Sequence, residues 1–297
     1  MSTENPFALL SRHLAEIVAR HAPSVVAVSA RGARAGASSG FVWRSGIVVT
    51  ASDALERDED IAVLTPRGER VVATLAGRDP STDIAVLEVP GAESPLVFVP
   101  QQEISTGELA VTIGRGRDGP VASLAMIALA AGPWQSLRGG RIDRRIHLDR
   151  GIDPGLEGGI VVNAAGSPLG MAVPGPRRVG LAIPGGTIER VAAQILEHGR
   201  VPRGYLGLGL QPVRLDDAQP SSRGLMVVSV DPKGPGRRAG MLVGDIITGW
   251  NGEALRGVRD VLGRLGSEAI GRQIDLSILR AGQGTSAGIE ISERPAS

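Results

Sequence analysis

The chain has 297 residues, a length that suits two domains, with 42% apolar and 21% charged residues in the proportions of an ordinary globular protein. A formal net charge of +1 excludes a strong overall electrostatic pull toward nucleic acid or an anionic membrane. The absence of cysteine excludes disulfides, thiolate metal sites and a cysteine nucleophile, and leaves the redox compartment open.

The first segment, residues 1–22, holds no basic leader and no apolar run as long as the ~7–15-residue core of a signal peptide. On that ground a cytoplasmic location is expected. Phe7, Leu10, Leu14, Ile17 and Val18 fall at helical spacing, which predicts an amphipathic helix docked on the body of the protein or on a partner subunit. No run approaches the ~18–20 apolar residues of a membrane span.

After Pro23 short β-branched runs alternate with glycine, proline and aspartate: "SVVAVSA", "GFVWRSGIVVTA", "DIAVLTP", "RVVATLAGRD", "DIAVLEV" and "ELAVTIG". Runs of this length predict antiparallel all-β structure. The stretch 114–119, "GRGRDG", matches a dinucleotide-loop pattern, but Pro120 follows at once and no βαβ series surrounds it, so a barrel loop is the better reading. The basic stretch "RGGRIDRRIHLDR", 138–150, spaces Ile142, Ile146 and Leu148 as a strand with a polar outer face; without interleaved aromatics it is not a nucleic-acid site. "GGTIERVAAQILEHGR" then predicts a helix capped by Thr187 and ended by Gly199. A hinge at 201–204 leads to a second unit of strands, with a short helix near 258–265.

Four strings in this order resemble the HtrA/Deg family, a trypsin-like protease domain followed by a PDZ domain. "GRDPSTDIAVLEV" is similar to G-R-D-x-x-T-D-L-A-V-L-K-V and "VGLAIP" to G-F-A-I-P. "RGYLGLGLQPV" and "GPGRRAGMLVGDIITGWNG" are similar to the PDZ pattern. The resemblance implies a mostly β fold, a double β-barrel plus a small β-sandwich with helices. The implied domains are an N-terminal helix at 1–22, the protease domain at 23–186, a linking helix and hinge at 187–203, the PDZ domain at 204–292 and a tail at 293–297.

The resemblance also implies where a catalytic triad belongs. The family places histidine in L-T-N-x-H-V-V; here "VVTASDALE" puts Asp53 there. Asp83 keeps the triad aspartate. The serine of N-P-G-N-S-G-G-P is replaced in "DPGLEGGIV" by Glu157, within an oxyanion-hole loop that includes Gly155 and Glu157. Without imidazole and hydroxyl there is neither proton shuttle nor nucleophile. Either loss alone costs roughly 10⁶ in turnover, about 8 kcal/mol of transition-state stabilisation. An inactive pseudoprotease, binding or scaffolding rather than cleaving, is the expectation. The alternative is a hydrolase with a rearranged or carboxylate-based site.

Three carboxylates brought together repel one another. They are left either as a drifted dead site, as a site for a hard cation, as an acid pair holding water, or with Glu157 plugging the oxyanion amides. No ligand motif marks a metal, and no cofactor is expected. The PDZ resemblance implies peptides or protein C-termini as partners, taken as an added strand. Tyr205, Leu206, Gly207 and Leu208 would hold the carboxylate, with Arg203 beside it. Leu208 and Leu210 would pair with the peptide, and Val261 and Leu265 would wall the pocket for its last side chain. Family members form trimers, which implies a homotrimer or a mixed oligomer with an active relative.

Overall fold

A computed structural model describes residues 5–30, 38–99, 103–215 and 223–295. The outer ends of the expected N-terminal segment and tail, 1–4 and 296–297, lie outside them. The chain divides into two compact units, Met1–Ser136 with Arg141–Val201, and Leu137–Gly140 with Pro202–Ser297.

The first unit opens with helix α1 (Pro6–His21). Asn5 Oδ1 accepts the Phe7 amide at 3.0 Å, and Pro6 sits at the first helical position, where its missing N–H costs nothing. Strands β1 (Val25–Ser29), β2 (Ser38–Arg44), β3 (Ile47–Ala51), β4 (Ile61–Leu64), β5 (Arg70–Asp79) and β6 (Ile84–Glu88) close a barrel in the order β1-β2-β3-β6-β5-β4. A second barrel follows from β7 (Leu109–Gly116) and β8 (Gly119–Ala131). After the short pair β9 (Trp134–Gln135) and β10 (Arg141–Ile142), it continues with β11 (Arg145–Leu148), β12 (Ile160–Asn163), β13 (Pro168–Pro174) and β14 (Gly180–Pro184). Its order is β11-β14-β13-β12-β7-β8. The "GRGRDG" stretch is thus the turn of the β7–β8 hairpin, where Gly116 pairs with Gly119.

Strands such as β6 read as unbroken apolar runs because both faces are covered. Ala85 and Leu87 point into the first barrel with Val26, Val48 and Val63. Ile84 and Val86 point the other way, into a core shared with residues of the second barrel such as Ile113, Ile160 and Met171. Alternation along one strand therefore feeds two cores. Helix α2 (Gly185–His198) closes that shared core with Ile188, Val191, Ala192 and Ile195, and ends at Gly199 with φ 71°. Thr187 is not its cap, contrary to the sequence expectation. The helix starts three residues earlier, with Pro184 as the N-cap, and the buried Thr187 hydroxyl donates to Asp143 Oδ2 at 3.0 Å.

Helix α1 docks on its own unit. Ile17 is buried in the shared core with Leu14 and Val18 against it. On the same face, His13 Nε2 and His21 Nε2 meet the carbonyls of Ala164 at 2.8 Å and Gly166 at 2.7 Å. The start of the predicted stripe is not covered: Phe7 is 80% exposed and Leu10 38%.

The second unit has a short pair, β15 (Gly204–Tyr205) with β22 (Ser292–Glu293). Its main sheet comprises β16 (Leu208–Arg214), β17 (Arg223–Val230), β18 (Ile246–Trp250), β19 (Glu253–Ala254), β20 (Gln273–Arg280) and β21 (Gln283–Glu290). They run in the order β16-β17-β18-β20-β21, with β19 on β18. Helices α3 (Pro235–Arg238) and α4 (Val258–Arg264) accompany it. Its core holds Leu225, Val227, Met241, Ile247, Trp250 and Leu276. Among the described residues no helix is long and apolar enough to cross a membrane.

Candidate functional sites

Asp83 sits where β5 turns into β6. The buried Asp79 carboxylate builds that turn, accepting the Ser81 hydroxyl at 2.7 Å and the Thr82 hydroxyl at 2.8 Å. The turn holds Asp83 at φ 59°, a left-handed backbone uncommon for a residue with a side chain and most tolerated by Asp and Asn. From there Asp83 Oδ1 accepts the backbone amide of Asp53 at 2.8 Å. Two residues from motifs 30 positions apart are thereby joined at one spot, with the Asp53 side chain exposed and Asp83 half-buried.

The "DPGLEGG" turn reaches the same region from the second barrel. Pro154–Leu156 forms one 3₁₀ turn. The Leu156 amide donates to Asp153 O at 2.8 Å, and the Glu157 amide donates to Asp153 O at 3.2 Å and Pro154 O at 3.4 Å. Of the two amides expected to face an oxyanion, those of Gly155 and Glu157, the Glu157 amide is therefore turned onto the turn's own carbonyls. Gly158, at φ 80°, is required where it stands: a Cβ there would meet the Ser39 carbonyl oxygen and lie 3.0 Å from the Ala51 amide nitrogen. That close approach brings Glu157 beside the end of β3, two residues before Asp53.

Ser39, which sequence reasoning missed, fastens this turn. Its hydroxyl donates to Gly155 O at 2.7 Å and accepts the Arg115 amide at 2.9 Å; its own amide donates to Glu157 O at 2.8 Å. Thr50 Oγ1 donates to the Ser39 carbonyl at 2.7 Å. Arg115 is buried nearby, donating from Nε to Val25 O at 2.6 Å and from Nη2 to Ala22 O at 2.8 Å; burial lowers its pKa. A lone serine carries no motif, and its partners lie 76 and 116 positions away. Only the fold reveals it.

The four histidines are placed elsewhere. His13 and His21 bind the 164–166 turn, and His198 ends α2 beside Glu197 at 3.7 Å. His147 lies in β11 between Leu129 and Leu181. Burial, and then the neighbouring Arg145 charge, lower its pKa and favour the neutral ring. Among the described residues no group of three or more His, Asp or Glu side chains is arranged to hold a metal ion. A cavity of about 570 Å³, lined by Phe98, Ile104, Asp143, Leu169, Pro184 and Glu189, includes none of Asp53, Asp83 and Glu157.

In the second unit, Gly207 at φ 69° passes so close to Gly234 that a Cβ would lie 2.9 Å from its Cα. This holds the loop before β16 tightly, with Asp231 N donating to Gly207 O and Gly236 N to Leu206 O, both at 2.8 Å. Tyr205 OH donates to Asp231 Oδ2 at 3.0 Å. Burial and that hydrogen bond raise the tyrosine pKa, while hydrogen bonds from the Lys233 amide and Tyr205 lower that of Asp231. Leu206, Val261 and Leu265 are buried in one cluster, with Leu208 and Leu210 packed against it. Arg203, expected beside a peptide carboxylate, reaches Gly139 O with Nη1 at 3.3 Å.

Fold and site together define a two-domain class: residues 38–171 match the trypsin-like peptidase domain and residues 204–291 the PDZ domain. The chain thus pairs a trypsin-like peptidase domain with a PDZ domain, the arrangement of the HtrA/DegP-type proteases to which it is similar. It is 29% identical over 273 residues to a probable periplasmic serine endoprotease DegP-like protein of Brucella suis, covering 86% of this chain and 52% of that one. A probable periplasmic serine protease do/HhoA-like protein of Haemophilus influenzae is 28% identical over 262 residues, covering 84% and 56%. The chain thus spans about half the length of the curated relatives it matches. The serine endoprotease of Yersinia pestis superposes with a TM-score of 0.74 at 27% identity, covering 95% of this chain and 98% of that one. The HtrA-type protease AlgW with tripeptide gives 0.71 at 26%, covering 95% and 98%.

These relatives overturn the expected cytoplasmic location, since those from Brucella suis, Rhizobium meliloti and Haemophilus influenzae are all named periplasmic. The expectation rested on the composition of the first residues. Those residues form a docked helix, whose apolar spacing reports packing and not address.

Proposed function

We propose that this chain is an HtrA-type pseudoprotease: it binds peptides or protein C-termini through its PDZ domain and does not cleave them. The observation that carries this reading is the Asp53 amide on the Asp83 carboxylate. The backbone where a triad would form is intact, yet the side chain beside Asp83 is a carboxylate, and the glycine turn opposite presents Glu157. Neither group moves a proton as imidazole does near neutral pH, and neither is a hydroxyl that forms an ester with a peptide. The turn of the Glu157 amide, one of the two expected oxyanion donors, onto Asp153 O and Pro154 O supports the same conclusion. Peptide binding is supported by the open edge of β16 beside an apolar cluster that includes Leu206, Val261 and Leu265. Oligomerisation, with itself or with an active relative, is supported by the bare apolar start of α1. A periplasmic role follows the names of the relatives.

The test is direct. Incubation of the full chain with unfolded casein should give no cleavage, and peptides with apolar C-termini should titrate onto it. Sustained cleavage that disappears in Glu157→Ala or Asp53→Ala would replace this reading with a carboxylate-based hydrolase. Failure to bind any member of a diverse C-terminal peptide library would remove the recruitment role.

A further inference from the structure

Strand β16 stands at one end of its sheet, with β17 on one side and, among the described residues, no strand on the other. Which of its backbone groups face that open side follows from β17. The Val227 amide donates to Asp245 O at 2.8 Å, and the Gly244 amide donates to Val227 O at 2.9 Å. Both backbone groups of Val227 therefore turn away from β16. Its register partner is Leu210, so this is a non-hydrogen-bonded antiparallel pair, and the N–H and C=O of Leu210 point to the open edge. The period of two carries the same orientation to Pro212, where the register is regular; between Gly209 and Leu210 the register shifts by a residue on β17, and the orientation of Leu208 is set by its neighbour Gly207. Consistently, Gly207 O points inward and accepts the Asp231 amide, and the partner of Pro212 is Leu225, which pairs on its far side with Ile247.

The open edge thus presents an N–H at Leu208, an N–H at Leu210, and a pyrrolidine ring where a third belongs. Proline is tolerated in strands at such an edge because its missing N–H breaks no internal ladder, but it cannot donate to a strand added from outside. An antiparallel peptide on this edge pairs through alternate residues. With its carboxylate held at the loop before β16, it uses Leu208 and Leu210 for its last few residues and meets Pro212 next.

We propose that Pro212 ends the ladder a bound peptide can form, so that the second unit reads only about the last four residues of a C-terminus. This rests on the peptide-binding reading above. Upstream ligand residues then add little affinity or selectivity, and recognition is concentrated on the final side chain and the free carboxylate. The partners it fits are protein C-termini with a short exposed apolar end, with no requirement for an extended strand upstream.

The experiment uses the full chain and labelled peptides of three, four, six and eight residues, all ending in Ala-Val-Leu and extended with alanine and serine. For the native chain, affinity should rise to four residues and then level off. In Pro212→Val, which returns the N–H, the six- and eight-residue peptides should bind about two- to tenfold more tightly than the four-residue one, the range for one added hydrogen bond. Native affinity that keeps rising to eight residues overturns the inference while leaving peptide binding intact, and so does a folded Pro212→Val chain with the native plateau. Binding of none of the peptides to either chain overturns both.

Discussion

On the pseudoprotease reading proposed above, a serine missing at Glu157 is only half of the loss, because that reading also puts Asp53 at the place of the base, and the Glu157 amide is turned onto the turn's own carbonyls. Glu157→Ser alone should remain unreactive toward a phosphonylating serine probe. Asp53→His with Glu157→Ser should label at residue 157, as measured by intact mass. Its turnover should still fall about 10²–10³-fold below that of an active relative, the usual cost of a missing oxyanion donor. Equal labelling of the single and double variants would contradict the assignment of Asp53 to the base position. Ser39 offers a second handle on the same turn. Ser39→Ala leaves the Gly155 carbonyl and the Arg115 amide without the hydroxyl in a buried setting, so it should cost about 1–3 kcal/mol. Amide hydrogen exchange over 153–159 should accelerate in that variant; unchanged exchange would show that the turn does not depend on the hydroxyl.

At the scale of elements, the second unit is pinned by one ion pair between β20 and the turn before β18. Asp245, with a side chain only 1% exposed, accepts Arg280 Nε at 2.8 Å, Arg280 Nη2 at 2.7 Å and the Leu242 amide at 2.9 Å. The hydrogen bonds from Arg280 lead in holding its carboxyl below the usual aspartate range. A depressed folded pKa means that this stabilisation is complete above the ordinary aspartate pKa, near pH 4, and is lost as pH falls through the folded value. Asp245→Asn should destabilise the unit at pH 7 by about 1.5–3 kcal/mol, the range for hydrogen bonds to a charged group, since the Arg280 side chain it leaves behind is 41% exposed and keeps its water. The gap to the native chain should begin to shrink below about pH 4, the ordinary aspartate pKa, and close as pH falls through the lowered folded value, where the native carboxylate is itself protonated. Hydrogen exchange of β20 amides at both pH values measures this, and a gap independent of pH would assign the effect to packing instead.

The same scale explains what was legible in the sequence. β-Branched runs gave the barrel strands because the shared core and the barrel interior cover both faces of β3 and β6. Thr187 misled, because a helix start reads as a local signal while this hydroxyl is taken by Asp143, 44 positions away. The expectation for Asp53, Asp83 and Glu157 came from resemblance alone, since no spacing rule relates residues so far apart in sequence. Ser39 and Arg115 were silent because their roles arise when a distant turn closes over them.

For the whole molecule, the proposed assembly rests on α1. Its C-terminal half is fastened by Ile17, His13 and His21, while Phe7, Leu9 and Leu10 are 80%, 45% and 38% exposed. The exposed half leaves transfer free energy to be gained on burial: most of the roughly 1.5–3 kcal/mol of a full side chain at Phe7 and under half of it at Leu9 and Leu10. If these residues meet their counterparts in other copies, a charge there opposes assembly without disturbing the fold. Phe7→Asp with Leu10→Asp should therefore shift the full chain toward monomer in sedimentation velocity at micromolar concentration, while hydrogen exchange of the barrel amides stays native because Ile17 and the two histidines are untouched. A native chain that is already monomeric at that concentration, or a doubly substituted chain of unchanged mass, would dissociate the exposed face from assembly and leave α1 as a clamp on the second barrel alone.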